Sequence, residues 1–148
     1  MSQAGSIVHD MMIEADNATV FAFFTDPKRL IRWMGICANL EPKPGGLLLI
    51  DVQNGRKARG QFKEVVPVSH LAYTWGWEGA ASVPPGSSLI EINLSLQDGH
   101  TLLRFTHSGL PPEEVQSQTE SWNHYLVRLA MAASGKNPGP DLRLTRVQ

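Results

Sequence analysis

The sequence predicts an α+β domain: a curved antiparallel sheet of about six to seven strands wrapped around one long C-terminal helix, with two short helices after the first strand. Three observations lead there. Several apolar segments alternate with a period of two, as half-buried strands do. Two-residue turn signals, Asn54-Gly55 and Asp98-Gly99, join neighbouring segments and so make antiparallel hairpins. The period then changes near the C-terminus, where Val115, Thr119, Trp122, Leu126, Leu129 and Ala133 recur at steps of four and three, one face of a helix.

Each element follows from local chemistry. The first strand is SIVHDMMIEA, which places Ile7, Met11 and Ile13 on one face. DNATVFAFFTD reads as a short helix capped by Asp16 or Asn17, with Val20, Phe21 and Phe24 on its apolar side. DPKRLIRWM reads as a second, with Asp26 as N-cap, Pro27 at the first helical position, and Leu30, Trp33 and Met34 at helical spacing. EPKPGG is a turn, LLLIDV a strand, and ARGQFKEVVP the returning strand, ended by Pro67. In HLAYTWGW, Leu71, Tyr73, Trp75 and Trp77 share one face, opposite His70, Ala72, Thr74 and Gly76. EGAASVPPGSS (78–88) is a loop of small residues and prolines, a candidate gate. LIEINLSLQ sets Ile90, Ile92, Leu94 and Leu96 on one face, and HTLLRFTHSG is the last strand. Pro111, Pro112, Glu113 and Glu114 suit the start of the long helix and Gly135 its end. The tail 136–148 is read as loose, with Leu142, Leu144 and Val147 available to pair on an edge.

The totals bound the partners. At 148 residues the chain is one domain, able to bury roughly 70% of its unfolded surface. The net charge of −1 and the scattered Lys and Arg argue against nucleic acid. No apolar run approaches the ~20 residues that span a bilayer, so no membrane partner is expected. The N-terminus lacks the basic and apolar regions of a signal peptide, and a lone cysteine, Cys37, suits a reducing cytoplasm. The N-x-[ST] triplets at Asn17 and Asn93 then read as chance. A homodimer is compatible with the sequence and not required by it.

The chemistry-bearing residues are mostly aromatic. Trp33, Tyr73, Trp75, Trp77, Phe105 and Trp122, with Leu126 on the helix stripe, are candidates to line a cavity. The plainer reading is core, since each aromatic buries ~150–250 Å². Trp77, at a strand end beside a loop, is the candidate mouth residue. His9, Asp51, Glu64, Tyr73 and His107 are the polar candidates; the strand period sends His107 to the same side as Leu103 and Phe105. There it can hold a ligand or act as acid or base, or it can simply pin the turn into the last helix. Cys37 reads as a small buried hydrophobe. The five histidines share no metal-ligand spacing, no phosphate loop or nucleophile elbow is present, and no catalytic residue, metal or cofactor is assigned.

The stretches VFAFFTDPKRLIRW (20–33), GQFKEVVPVSHLAYTW (60–75), LLRFTHSGLPPEE (102–114) and ESWNHYLVRL (120–129) resemble the START-like (SRPBCC) superfamily with the helix-grip fold. Within it, the chain resembles the bacterial family named after the activator of heat-shock-protein-90 ATPase. The Thr-His-Ser-Gly-Leu-Pro run before the last helix and the tryptophan near that helix's middle are the more specific marks. The resemblance implies a cavity between sheet and helix that takes an apolar or amphipathic small molecule. It also admits two alternatives. One is a cyclase-, dehydratase- or hydrolase-like enzyme, with His107 and Tyr73 as first suspects. The other is a co-chaperone or partner-binding module, although such co-chaperones act through a second domain and this chain carries one.

Overall fold

The computed structural model describes residues 5–53, 55–139 and 141. Seven antiparallel strands form one sheet in the order β1-β7-β6-β5-β4-β3-β2. In chain order the elements are β1 (Gly5–Ile13), α1 (Asn17–Thr25), α2 (Pro27–Leu30), β2 (Cys37–Leu40), β3 (Leu47–Gln53), β4 (Arg56–Val66), β5 (His70–Trp75), β6 (Ser88–Gln97), β7 (His100–Leu110), a 3-10 turn (Pro112–Glu114) and α3 (Val115–Ala133). Consecutive hairpins build the sheet from β2 to β7, and β1 closes the far side on β7. The predicted fold class is therefore the observed one.

The two short helices end where their sequence makes them end. Asp16 caps α1 by accepting from the Thr19 N–H at 2.8 Å, and Asp26 caps α2 by accepting from the Lys28 N–H at 3.0 Å. Pro27 has no N–H, so the Phe23 carbonyl loses its helical donor. The Trp33 indole N–H supplies one instead, at 2.9 Å and fully buried. Leu30, Trp33 and Met34 are buried as expected, but α2 lasts a single turn, and Trp33 and Met34 lie in the turn beyond it. In α1 the fully buried phenylalanines are Phe23 and Phe24, while Phe21 is only half-buried. Arg128 of α3 donates to the Trp33 carbonyl at 3.2 Å and ties the helix to this turn.

The core lies between one sheet face and α3. Ile7, Ile13, Ile50, Phe62, Leu71, Tyr73, Trp75, Ile90, Ile92, Leu103 and Phe105 meet Trp122, Leu126 and Leu129 there. Ring contacts knit it: Phe105 and Trp122 lie 4.6 Å apart, Trp75 and Trp122 5.2 Å. Such pairs add about 0.5–1.5 kcal/mol each beyond their buried area.

Several local expectations need correction. Strand β2 was not expected; it is short, pairs only with β3, and carries Cys37 on the sheet's edge. Cys37 is consequently exposed rather than buried. Leu96 keeps the alternation of β6 but is 64% exposed, because the strand runs past the core before its hairpin. That hairpin is the expected Asp98-Gly99 turn, with both residues at positive φ. Asn54 of the other hairpin lies outside the described residues. The loop 78–88 is packed in part: Val83 is buried, its carbonyl accepts from the Trp77 N–H at 2.7 Å, and Ser82 donates to Glu114 at 3.2 Å. Gly76 is required here, since a Cβ would collide with the Pro84 carbonyl oxygen. Of the tail, Asp141 is buried and accepts from His124 at 2.8 Å; Leu142, Leu144 and Val147 lie outside the described residues.

Candidate functional site

A cavity opens between α3 and the β3–β5 end of the sheet. Its walls are Met34, Val52, Arg56, Trp75, Trp77, Gln118, Ser121, Trp122 and Tyr125. Gln118, Ser121, Trp122 and Tyr125 share one face of α3 by helical spacing. Trp75 ends β5, and Trp77 follows it after Gly76, facing the same way and bridging to Ala58 of β4. The space between the walls, mouth included, is about 360 Å³, but only about 20 Å³ of it admits the centre of a water molecule. That interior holds about one or two waters. The Arg56 guanidinium lies over the Trp77 ring at 4.0 Å, a cation–π contact. Arg56 is exposed and begins β4, so it sits at the rim.

Of the eight candidate ligand residues, Trp75, Trp77 and Trp122 stand in these walls. Trp33, Tyr73, Phe105, His107 and Leu126 are buried behind them in the core. The loop 78–88 contributes no wall residue.

His107 is fully buried and both its ring nitrogens are engaged. The Trp122 indole N–H donates to Nδ1 at 3.0 Å, so Nδ1 carries no proton. Nε2 therefore bears it and donates to Ser88 Oγ at 2.8 Å, while the Ser88 hydroxyl donates to the Trp75 carbonyl at 2.7 Å. This chain runs from α3 through β7 and β6 to β5 and fixes two of the cavity's three tryptophans in place. Burial holds the His107 pKa down to about 4, so the ring is neutral at pH 7. Burial likewise raises the Tyr73 hydroxyl above the usual tyrosine range. Neither residue lines this cavity.

Two other buried donors are left over. The indole N–H groups of Trp75 and Trp77 have no hydrogen-bond partner among the described residues, although the residues are 1% and 8% exposed. A buried donor without a partner costs about 1–3 kcal/mol. Among the described residues no group of His, Cys, Asp and Glu side chains is placed to hold a metal ion, and no helix is long and apolar enough to cross a membrane. Of the other polar candidates, Glu64 hydrogen-bonds His70 at 2.9 Å on the opposite face of the sheet, and His70 also bonds Asn93 at 2.8 Å.

Sequence reasoning missed Met34, Val52, Arg56, Gln118, Ser121 and Tyr125 as wall residues. A stripe stepping by four from Trp122 to Leu126 leaves out Tyr125, three residues on, which is also buried and lines the cavity. Arg56 had a positional signal, as the first residue after a hairpin turn. Gln118 and Ser121 had none, because polar residues on a helix ordinarily read as its solvent face.

The model of the family described as "Activator of Hsp90 ATPase homolog 1-like protein" matches residues 14–134. Among solved structures, the solution structure of an AHSA1-like protein from Rhizobium etli is 51% identical, with a TM-score of 0.76 over 95% of this chain and 89% of that one. The solution structure of CalU16 from Micromonospora echinospora is 26% identical, with a TM-score of 0.79 over 98% of this chain and 74% of that one. The Aha1 dimer from Colwellia psychrerythraea, 18% identical with a TM-score of 0.77 over 88% and 96%, shares the fold. No curated protein matches the chain. With a match over most of its length and a half-identical structural relative, the chain belongs to the activator of Hsp90 ATPase homolog 1-like family.

Proposed function

We propose that the protein binds an apolar or amphipathic small molecule in the cavity between the sheet and α3. The observation that carries this is the wall itself: three tryptophans and a tyrosine converge on one opening beside a few polar groups, the composition of a small-molecule site. Proteins of this fold bind hydrophobic ligands, which supports the reading. The interior as it stands is too small for a drug-sized ligand, since such sites span ~300–1,000 Å³. Entry therefore requires the rim to open, and the exposed Arg56 is the group to swing off Trp77. Native mass spectrometry of protein purified without denaturation, with tryptophan-fluorescence titration of 2-methylnaphthalene and 2-naphthoate, tests it. A retained adduct or saturable quenching supports binding; a bare chain mass with linear, non-saturating titrations overturns it.

Two extensions belong to the same reading. The exposed, unpaired Cys37 thiol suits a reducing compartment, so we extend the reading to the cytoplasm, which cell fractionation tests. The edge strand β1 leaves Val8 and Met12 exposed, and the Colwellia relative is a dimer. A homodimer then predicts the mass of two chains by light scattering, and the mass of one chain overturns it.

A further inference from the structure

The cavity's hydrogen-bonding groups narrow what it holds. All four tryptophans are buried, but their N–H groups divide into two pairs. Trp33 donates to the Phe23 carbonyl and Trp122 to His107. Trp75 and Trp77 donate to nothing among the described residues, and both are cavity walls. Indole N–H can only donate. The two residues sit two apart on one face, with ring centroids 5.6 Å apart and planes at 81°. Among the described residues no carboxylate stands in the wall. Both N–H groups are closed to water as they stand, so a purely hydrocarbon ligand would leave them unpaired, whereas an acceptor admitted as the rim opens would pair them.

We infer that the ligand is a flat ring system bearing an oxygen acceptor, a carbonyl or carboxylate, which takes hydrogen bonds from the indole N–H groups of Trp75 and Trp77. This rests on the cavity-binding reading and deepens it. The aromatic walls, Trp75 against Trp122 at 5.2 Å and against Trp77 at 5.6 Å, hold the rings, and the unpaired donors hold the oxygen.

The test uses the full chain labelled with ¹⁵N in its indoles, which gives four indole N–H signals. Three probes of matched shape are titrated: 2-naphthoate, 2-acetonaphthone and 2-methylnaphthalene. The expected result is a saturable downfield movement of the Trp75 and Trp77 indole protons with the two oxygen-bearing probes, and none with 2-methylnaphthalene. The oxygen-bearing probes also bind about three- to tenfold tighter, the worth of a net hydrogen bond. Trp75→Phe and Trp77→Phe keep the ring and remove the donor, so each shrinks that preference. Should either variant fold poorly, the three-probe comparison in the wild-type chain still decides. Naphthoate tighter than acetonaphthone identifies a carboxylate ligand, and equal affinities a neutral carbonyl; both uphold the inference. Equal binding of all three probes with unmoved Trp75 and Trp77 signals overturns it while leaving cavity binding intact. No saturable binding by any probe overturns both.

Discussion

Lowering the pH from 7 to 5 should unfold this protein more easily, and His107 is the reason. Its imidazole is fully buried, and its unprotonated Nδ1 accepts the Trp122 indole N–H at 3.0 Å. A second proton there would set two donors against each other in a dry interior. Burial therefore holds the pKa to about 4, against 6.5 for an unburied histidine. The depressed pKa belongs to a base, so the unfolded chain binds the proton first as pH falls. Stability from this group is full above pH 6.5, declines between 6.5 and 4, and levels off below that. Linkage gives a loss of about 1 kcal/mol at pH 6, about 2 at pH 5 and about 3 at pH 4. With a urea slope of ~2 kcal/mol per molar, the midpoint at pH 5 falls by about 1 M. His70 works in the other direction, because Glu64 and Asn93 raise its pKa against partial burial; its contribution is present at low pH and lost as pH rises. The assay is therefore urea unfolding of wild type and His107→Gln at pH 7, 6 and 5, read by tryptophan fluorescence. The difference between the two pH slopes belongs to His107. Parallel slopes would refute the reasoning, as would an imidazole NMR titration that places His107 near 6.5.

Two further outcomes follow from the backbone. The turn Val66-Pro67-Val68-Ser69 closes with a Ser69 N–H to Val66 carbonyl bond of 3.1 Å and puts Val68 at φ 60°. This is the position where a turn with proline before it ordinarily wants glycine or asparagine, and a β-branched residue is strained there. Val68→Asn should raise stability by about 1 kcal/mol, read as a higher urea midpoint at unchanged slope. Trp33→Phe removes the donor that replaces the N–H missing at Pro27 and leaves a gap in the core beside Phe24. It should cost about 2–4 kcal/mol by the same measurement, and a loss below 1 would show that the Phe23 carbonyl finds another donor.

The sheet was legible because its signals are local and periodic. Alternation set the inward face of β1, β5, β6 and β7, and Asp98-Gly99 located a hairpin. β2 escaped because Cys-Ala-Asn-Leu is four residues long, contains asparagine, and exists only through its pairing with β3. Cys37 was misplaced for the same reason: on an edge strand, a small apolar residue has nothing to bury it. The helix stripe was legible at Trp122, Leu126 and Leu129, whose burial is driven by hydropathy. Gln118 is buried against hydropathy, by its position opposite the end of β5, and only the three-dimensional arrangement reveals that. His107 shows the limit most clearly. Its inward direction follows from strand period, but its neutral tautomer follows from partners 15 and 19 residues away in sequence, Trp122 and Ser88.

The central claim is that the aromatic walls enclose a binding site and do more than fill a core. Ser121 stands in the cavity wall on α3 and is half-buried, so Ser121→Phe plugs the opening while leaving every tryptophan in place. Calorimetric titration of 2-naphthoate into wild type and Ser121→Phe, with matched urea midpoints to show that both are folded, compares the open and plugged cavities directly. Saturable one-to-one binding to wild type, weakened at least about tenfold in Ser121→Phe, is the expected result. Identical isotherms for the two proteins, or no saturable heat with wild type, would contradict it.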